Sequence, residues 1–502
     1  MIEEFFVSEL NVQAIVDITA GSCPQALHWP AFNRSDVEVG IAHIGVGGFH
    51  RAHQARYLDD LMAGSGDLHW GICGIGIRPE DKPFLETLAR QKGLYTLTEK
   101  DDDQTRDRVI GSLVDVLFAP EDPQRAVDLL ARPSVRIIST TITEGGYLYD
   151  FEKHRFFHDH PDVQHDLGNR VQPKTIYGYL WQALEARSKL GAGGAVTLLS
   201  CDNVPHNGDV FRKALLGFLE HADPSLGLWV QTHVSFPNSM VDRITPAPGE
   251  SDQQAVLQRH GVVDPCAVGA ETFIQWVIED DFKAGRPALE TVGVQFTADV
   301  SPYETAKLRL LNGSHLMMGF IGYLAGYTRV DMAIKDPAIR QLVKDYMALD
   351  AAPTLTPIQD MPLDDYQGQL IARFGNSTIA DQQQRICSDG YTKLKNYLMP
   401  VLTDVIEAGG DTRRLSLLFA SFLKYLDGVN DAGESMPIIE FNLSREQLHA
   451  SAADRLSLLK VDALFGEHPD VRDTRFLDEV ASHLAGIRAR GAYAHLKLLL
   501  QG

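Results

Sequence analysis

The feature that most constrains the fold is a short strand that runs into a glycine-rich turn and then a helix. Val39–Ile44 is an apolar run, GVGGFHRAH (Gly45–His53) follows it, and Gln54–Met62 carries apolar residues at helical spacing. Glycines in such a turn let the backbone approach a phosphate, and the helix N-terminus attracts an anion. His50 replaces the third glycine of the usual G-x-G-x-x-G pattern, so the turn indicates either a dinucleotide site or a structural turn.

Strand and helix patterns continue to alternate after this unit. Further apolar strand candidates lie at His69–Ile77, Val135–Thr141 and Val196–Ser200, and residues 176–189 have helical spacing. This alternation predicts an α/β fold with a mostly parallel sheet flanked by helices. Residues 94–113 interrupt the pattern and are predicted to form a hairpin.

Beyond about residue 300 the pattern becomes helical, and strand-like runs almost vanish. Helix-type spacing is found in residues 303–326, 336–349, 394–408, 411–427, 445–465 and 474–500. Single hydrophobic cores stop growing near ~250–300 residues, so a chain of 502 residues is expected to form two domains. We predict an α/β domain over 1–295, with an irregular lead-in at 1–35, and a predominantly α-helical domain over 296–502.

Composition excludes several classes of protein. A formal charge of −21 argues against a surface for nucleic acid or anionic membrane, where Lys and Arg must neutralise phosphates. No apolar run approaches the ~18–20 residues that span a bilayer, and the N-terminus, MIEEFFVSEL, is acidic where a signal peptide is basic. The cysteines are odd in number and widely spaced, which favours reduced thiols and a cytoplasmic protein: Cys23, Cys73, Cys201, Cys266 and Cys387.

Two carboxylates follow the second strand candidate. Glu80 and Asp81 come after Pro79, and in a dinucleotide-binding domain carboxylates at this strand end bind the adenosine ribose and repel a 2′-phosphate. They therefore favour NAD over NADP. Their separation from Gly45 exceeds the ~20 residues usual for the motif, and a solvated helix start after Pro79 is the alternative.

The HRAH sequence raises the question of a metal. His50 and His53 are three residues apart, but no third ligand of suitable spacing lies nearby. Packing or phosphate contact is the favoured role for both histidines and for Arg51, and we predict no metal.

The strongest chemical pattern is YETAKLRLLNGSH, Tyr303–His315. In an α-helix of about 100° per residue, Lys307, Asn312 and His315 fall within an arc of roughly 140°. Surrounding leucines would desolvate the lysine and lower its pKa from ~10.4 toward that of a general base. A base, an amide donor and an imidazole on one face suit alcohol oxidation. The alternative is an amphipathic helix with a lysine that reaches solvent.

Two polar segments have candidate roles in the α/β domain. SCDNVPHNG (Ser200–Gly208) follows the strand that begins at Val196, so it lies at the carboxyl edge of the sheet, where ligands bind. Asn203 in this segment could supply a second amide donor. FPNSMVDRITP (Phe236–Pro246) is turn-rich and polar. Each segment alone is also compatible with a structural loop.

Taken together, six motifs resemble the polyol-specific long-chain dehydrogenases/reductases, the mannitol dehydrogenase family. They run in order from Gly45 to Lys393: GVGGFHRAH, TITEGGY (Thr141–Tyr147), SCDNVPHNG, FPNSMVDRITP, KLRLLNGSH and RICSDGYTK (Arg385–Lys393). K-x4-N-x2-H is the catalytic signature of that family. The resemblance implies a Rossmann-type N-terminal domain, a helical C-terminal domain and a monomer.

The resemblance also implies metal-independent, NAD-linked interconversion of a polyol and a ketose, with D-mannitol and D-fructose as the first pair to expect. It makes Lys307 the general base, Asn203 and Asn312 the oxyanion donors and Glu304 part of the proton route. The implied substrate contacts are Asp242, His315, Arg385 and Lys393. The implied cofactor contacts are Gly45, Val46, Gly47, Gly48, Phe49, Glu80 and Asp81.

Departures from the family pattern leave the substrate open. Thr272, Ser377 and Tyr391 stand where proline, proline and serine are usual, and Leu316–Met318 are bulkier than typical. Another polyol (D-arabinitol, D-sorbitol or a rarer hexitol) is one alternative. A second is reduction of a hexuronate, with Arg385 or Lys393 meeting the substrate carboxylate. A non-catalytic NAD-binding sensor is the third.

Overall fold

The computed structural model of the protein describes five stretches of the chain, residues 8–10, 27–151, 153–358, 360–460 and 473–501. The chain divides into two compact units, Met1–Val300 and Ser301–Gly502. Most of the predicted lead-in, including Cys23, lies outside the described residues, as do residues 461–465 at the end of one predicted helix.

The first unit is organised around a six-stranded parallel sheet. Its strands are β1 (Val39–Ile44), β2 (Gly71–Gly76), β3 (Leu113–Phe118), β4 (Ile137–Thr140), β5 (Val196–Ser200) and β6 (Val234–Ser235), in the spatial order β6-β5-β4-β1-β2-β3. Most residues of β2, β4 and β5 are buried, as expected for strands covered on both faces. This order is that of the Rossmann fold, and its direction reverses between β1 and β4, where ligands bind.

Ten α-helices are described in this unit, several of them started by proline in the first turn and capped by a preceding aspartate, as at Asp122 and Asp223. They are Gly48–Ala52, Gln54–Ser65, Lys82–Arg90, Pro123–Ala131, Thr143–Gly146, Pro161–Gly168, Ile176–Ser188, Asn207–Ala222, Pro224–His233 and Glu250–His260. The α/β prediction is confirmed, although the sequence reading did not identify β3 and β6.

Smaller sheets complete the unit. The predicted hairpin is confirmed, because Tyr95–Lys100 and Thr105–Ile110 pair antiparallel. Val268–Glu271 adds to it in parallel. The other short strands are Ser239–Asp242 with Gln275–Glu279 and Gln295–Thr297, Ser8–Glu9 with Val262–Val263, and Tyr149–Asp150 with Arg155–Phe156.

The regular secondary structure of the second unit's described residues is helical, apart from isolated bridges. Its α-helices are Ser301–Ala306, Gly313–Leu324, Val330–Lys335, Pro337–Asp345, Leu363–Phe374, Gln383–Cys387, Gly390–Lys393, Met399–Glu407, Arg413–Tyr425, Arg445–Ala450, Thr474–Arg490 and Ala492–Leu499. Three π-helical segments occur, at Lys307–Asn312, Tyr346–Ala351 and Leu394–Leu398. The predicted helical domain is confirmed.

Two predicted helices are interrupted. The 445–465 prediction is wrong as a single helix, because the α-helix ends at Ala450 and a 3₁₀ helix, Arg455–Lys460, follows a turn. Ser and Asp in that turn compete for backbone hydrogen bonds. The 474–500 helix breaks at Gly491, whose φ of 88° lies outside helical geometry. No described helix is long and apolar enough to cross a membrane.

Candidate active site

A cavity of about 530 Å³ lies at the point where the strand order reverses, next to the glycine turn. Gly45 follows β1 with a φ of +98°, and a Cβ there would lie 2.1 Å from the Thr141 carbonyl oxygen. A Cβ on Gly47 would meet no atom within 4 Å, so this stretch of backbone faces open space. The turn therefore forms a cradle in which an anionic group can approach the main chain closely.

His43, which the sequence reading did not select, holds this turn from below. Its Nε2 lies 3.0 Å from the Gly45 carbonyl oxygen, and Nδ1 lies 2.8 Å from the Ser139 hydroxyl. Burial lowers the pKa of His43 to about 3, so the ring is neutral. Its ring stacks on His50 at 3.4 Å, an arrangement that two charged imidazoles would oppose. Both histidines therefore pack beneath the glycine turn, and His43 also links β1 to β4.

The other residues of GVGGFHRAH divide between packing and the cavity. Val46 and Gly48 line the cavity with Gly45 and Gly47, whereas Phe49 packs against His53 with ring centroids 4.9 Å apart. His53 hydrogen-bonds the Gln275 carbonyl at 2.8 Å. Arg51 lines the cavity and donates to the carbonyls of Gly47 and Cys266. Among the described residues, no cluster of three or more His, Cys, Asp or Glu could hold a metal ion.

The two carboxylates predicted for the ribose lie on the far wall of the same cavity. β2 ends at Gly76, and Glu80 and Asp81 follow on a 3₁₀ turn, Pro79–Asp81, that leads into the next helix. Asp81 accepts the backbone N–H of Arg78 at 3.1 Å, which fixes its carboxylate, while Glu80 is exposed. The two alternatives from the sequence are thus compatible, since these residues both begin a helix and line the cavity.

A buried carboxylate ties the loop after β4 to the loop after β5. Asp202 accepts the backbone N–H groups of Ile142 and Thr143 and the Tyr147 hydroxyl, at 3.1, 2.7 and 2.6 Å. Thr143 has a φ of +61°, a strained conformation for threonine that these bonds help to hold. Burial raises the pKa of Asp202. The network orders the backbone next to Asn203, which is itself exposed.

Asn207 joins the same loop to the segment that carries Asp242. Its amide nitrogen donates to the Asp202 and Ser239 carbonyls, and its amide oxygen accepts the Ser239 N–H at 2.9 Å. Gly208 has no room for a side chain, since a Cβ would lie 2.4 Å from the Phe236 carbonyl oxygen. Asp242 lies buried at the end of the strand Ser239–Asp242. The motifs DNVPHNG and FPNSMVD therefore form one interlocked piece of the first unit.

In the second unit, the candidate catalytic residues lie on a continuous run of helix. Glu304 lies in the helical turn before Lys307, and both residues are buried, at 7% and 8% exposed. The α-helix assumed from sequence is wrong between Lys307 and Asn312, where the structure has a π-helix. The side-chain amide nitrogen of Asn312 is buried and has no hydrogen-bond partner among the described residues. A buried donor without an acceptor is costly, so this amide requires an explanation.

Arg385 and Lys393 lie on elements packed beside this run. Gly319 and Gly322 allow close contact, since their Cβ atoms would lie 2.7 Å from Ile386 Cγ2 and 2.9 Å from Gln383 Nε2. Arg385 is held by both oxygens of Asp381, and this ion pair outweighs burial to lower the pKa of Asp381.

Lys393 and His315 complete this part of the second unit. The Lys393 ammonium donates to the carbonyls of Arg385 and Ile386 at 3.0 and 2.9 Å. Burial and the Arg385 charge lower the pKa of Lys393. His315 packs on Phe374 and is close enough to contribute to the electrostatics of Asp381. The second unit's candidate residues therefore lie on one helical run and on the short helices that pack beside it.

Residues that support the site were largely missed from sequence. Asp202, Tyr147 and Asn207 stand within the motifs, but nothing in their spacing separates a ligand contact from a loop anchor. His43 lies inside an apolar strand, and the only sequence feature that could have indicated its role is a polar residue among apolar ones.

The sheet order, the glycine turn and the carboxylates of the next strand end define a dinucleotide-binding unit of the Rossmann class. The mannitol dehydrogenase Rossmann domain matches residues 39–291, and the mannitol dehydrogenase C-terminal domain matches residues 299–487. The chain belongs to the mannitol dehydrogenase family of oxidoreductases, which confirms the resemblance drawn from its motifs.

Individual relatives agree over nearly the whole length. The mannitol 2-dehydrogenase of Phaeosphaeria nodorum is 40% identical over 470 residues, covering 93% of this chain and 82% of that protein. The Pseudomonas fluorescens mannitol 2-dehydrogenase, solved as a ternary complex with NAD and D-mannitol, is 41% identical with a TM-score of 0.82. The match covers 98% of this chain and 99% of that one. A D-sorbitol dehydrogenase in substrate-free form is 36% identical with a TM-score of 0.89, and the match covers 95% of this chain and 99% of that one.

Proposed function

We propose that the protein is an NAD-dependent polyol dehydrogenase that oxidises a secondary alcohol to a ketone, with D-mannitol and D-fructose as its preferred pair. The observation that carries this proposal is the presence, on one helical turn, of the buried Lys307 and of the buried Asn312 amide nitrogen, which has no hydrogen-bond partner among the described residues. The relative solved with NAD and D-mannitol supports both the cofactor and the substrate class.

The residues of the glycine-turn cavity fit NAD. Gly45–Gly48 offer close backbone approach for the pyrophosphate, and Glu80 and Asp81 would accept the hydroxyls of the adenosine ribose. When bound, NAD accepts the hydride that leaves the carbinol carbon. Arg51 donates to carbonyls of the turn and of Cys266, so its charge also lies at this wall of the cavity.

The protein's own groups manage the proton and the developing negative charge. Lys307, in its unprotonated form, takes the proton of the substrate hydroxyl, while the amides of Asn312 and Asn203 donate to the oxygen as the C–H bond breaks. Glu304, three residues before Lys307, passes the proton toward water. Asp242, His315, Arg385 and Lys393 bind the remaining hydroxyls. The products are a ketone, the reduced cofactor and a proton.

The hexuronate alternative has less support. A carboxylate substrate needs a cation, but the charge of Arg385 is already balanced in part by Asp381, whose two oxygens accept from Nε and one Nη of the guanidinium. Lys393 already donates to two carbonyls. A polyol, by contrast, can hydrogen-bond to groups that are ion-paired, because its hydroxyls both donate and accept.

A substrate panel tests the proposal. We expect D-mannitol with NAD, and D-fructose with NADH, to give the highest kcat/KM, ahead of D-sorbitol and D-arabinitol. Fructuronate should be reduced at least about 100-fold less efficiently, because Asp381 balances the charge of Arg385 and repels the substrate carboxylate. Initial rates of NADH formation or consumption measure all of these. Turnover of fructuronate alone would overturn the proposal, and a preference for D-sorbitol would keep the chemistry but change the substrate.

The ribose assignment makes a separate prediction. Replacing Glu80→Lys together with Asp81→Ala removes two negative charges from the cavity wall, so we expect the ratio of kcat/KM for NADP to that for NAD to rise by about 10- to 100-fold. Steady-state kinetics with each cofactor measure the ratio. Glu86→Lys is the matched control, since Glu86 lies on the helix that follows this turn but not on the cavity wall. Equal ratios in both variants would show that the ribose binds elsewhere.

A further inference from the structure

The π-helical turn Lys307–Asn312 changes which side chains share a face of the helix. In an α-helix, residues five apart are separated by about 140° around the axis. In a π-helix the carbonyl bonds to the amide five residues on and each turn holds more residues, so residues five apart lie much closer to one face of the helix. Lys307 and Asn312 are five apart. The π turn therefore aligns the amine and the amide that the proposed chemistry needs together.

This turn leaves one carbonyl without its usual donor. In an α-helix the Gly313 N–H would donate to Arg309, but here it donates to the carbonyls of Leu308 and Leu310. The Tyr346 hydroxyl donates to the Arg309 carbonyl instead, at 2.7 Å. Tyr346 is fully buried. A buried carbonyl without a donor is unfavourable, so this hydroxyl removes the main cost of the π geometry.

Gly313 provides the space for that hydroxyl. A Cβ at this position would lie 2.1 Å from Tyr346 Oη and 2.9 Å from Cζ. The φ of Gly313 is −60°, an ordinary helical value, so glycine is required here for room and not for backbone freedom. Any larger residue would push the Tyr346 hydroxyl away from Arg309.

Both partners of this hydrogen bond are anchored. Tyr346 begins the π-helix Tyr346–Ala351, in which buried Asp350 binds Arg414 through two bonds of 2.6 and 2.8 Å. The Arg309 guanidinium donates to the Thr354 carbonyl at 3.1 Å and pairs with Asp404. The contact is therefore made between two fixed pieces of the second unit.

We propose that Tyr346 is a positioning residue, which stabilises the π turn and so aligns Lys307 with Asn312, and that Gly313 is its complement. The inference rests on the proposed function, because that function gives the alignment its purpose. Without the hydroxyl, the Gly313 N–H regains the Arg309 carbonyl, the turn reverts toward an α-helix, and the two side chains separate around the axis.

The test is Tyr346→Phe, which keeps the ring and removes only the hydroxyl. We expect kcat for polyol oxidation to fall by about 10- to 100-fold, since misplacement of about 1 Å at a reacting group has effects of this size. NADH affinity should stay within about twofold, because the cofactor cavity belongs to the first unit. A crystal structure of the variant should show the Gly313 N–H bonded to the Arg309 carbonyl.

Two further variants separate positioning from general stability. Gly313→Ala should lower kcat similarly, and combining it with Tyr346→Phe should add little, since both remove the same hydrogen bond. Tyr425→Phe is the matched control: Tyr425 is also buried in the second unit, and its hydroxyl contacts the backbone of Ile439 and Pro437. Its loss should lower thermal stability and leave kcat unchanged.

The results distinguish the inference from the function on which it rests. A π turn that persists in the Tyr346→Phe structure would overturn the inference, whatever the activity. A fall in kcat that Tyr425→Phe reproduces would also overturn it, because that pattern reflects stability alone. If the wild-type protein oxidises no polyol, the proposed function fails, and the crystal structure still decides whether Tyr346 holds the turn.

Discussion

Lys307→Ala is expected to lower kcat for polyol oxidation by about 10³- to 10⁴-fold, the upper part of the range for loss of a general base. Lys307 is buried at the start of the π turn Lys307–Asn312, whose other side chains are leucines, Arg309 and Asn312, and none of these can accept the substrate proton. NADH affinity should change little, because the glycine-turn cavity is built from the first unit. Steady-state kinetics and fluorescence titration with NADH measure the two quantities.

The control for this variant is Lys424→Met. Lys424 is another largely buried lysine of the second unit, and its ammonium hydrogen-bonds the Val429 carbonyl, so its replacement tests the cost of removing a buried charge. We expect it to lower the free energy of unfolding and to keep kcat within about twofold. Near-normal turnover in Lys307→Ala with any polyol would contradict the lysine-base mechanism. Equal loss in both variants would assign the effect to stability.

The sequence predicted the fold correctly where residues close together in the chain form one motif or where apolar residues repeat at a fixed spacing. The strand before Gly45, the turn itself and the carboxylates at Glu80 and Asp81 form one contiguous signal, and the structure places them around one cavity. The apolar periodicity after residue 300 likewise sufficed for a helical second unit. In both cases the determining contacts are local in sequence or repeat at a fixed spacing.

Other features depend on contacts that sequence spacing does not reveal. β3 was missed because Leu113 ends the predicted hairpin and also begins the next strand of the sheet. The π turn was missed because its cause is Tyr346, whose hydroxyl reaches Arg309 from another helix. Asp202, in the loop after β5, binds the backbone of Ile142 and Thr143, in the loop after β4, about sixty residues earlier in the chain. Tertiary contacts of this kind override local preference.

The grouping of candidate residues also refines the choice of substrate. Arg385 is ion-paired with Asp381 and the Lys393 ammonium donates to two carbonyls, so the candidate substrate residues of the second unit carry charges that are already partly balanced. Such a surface recognises hydroxyls through many weak directional bonds. Discrimination among hexitols then depends on the orientation of one hydroxyl at a time, and a site built to hydrogen-bond a hydroxyl can reject an analogue that cannot pair with it.

The second large effect is expected for Asn312→Ala, which should lower kcat by about 10²- to 10³-fold, as removal of one oxyanion donor does in other enzymes. The buried amide nitrogen of Asn312 has no partner among the described residues, so its hydrogen bond is available to the substrate oxygen. That bond strengthens as negative charge develops on the oxygen. The loss should therefore appear in kcat, with KM within about threefold.

Asn312→Asp sharpens the test, because the carboxylate keeps the shape of the amide but repels the developing oxyanion, and it should be at least as impaired as alanine. Ser314→Ala is the matched control, since Ser314 Oγ is also buried with no partner in the described part of the chain and lies two residues further along the same helical run. Its kcat should stay within about twofold of wild type. Because oxidation and reduction share one transition state and no variant changes the overall equilibrium, kcat/KM for D-mannitol and for D-fructose must fall by the same factor. A loss confined to KM would place Asn312 in ground-state binding and remove it from the oxyanion site.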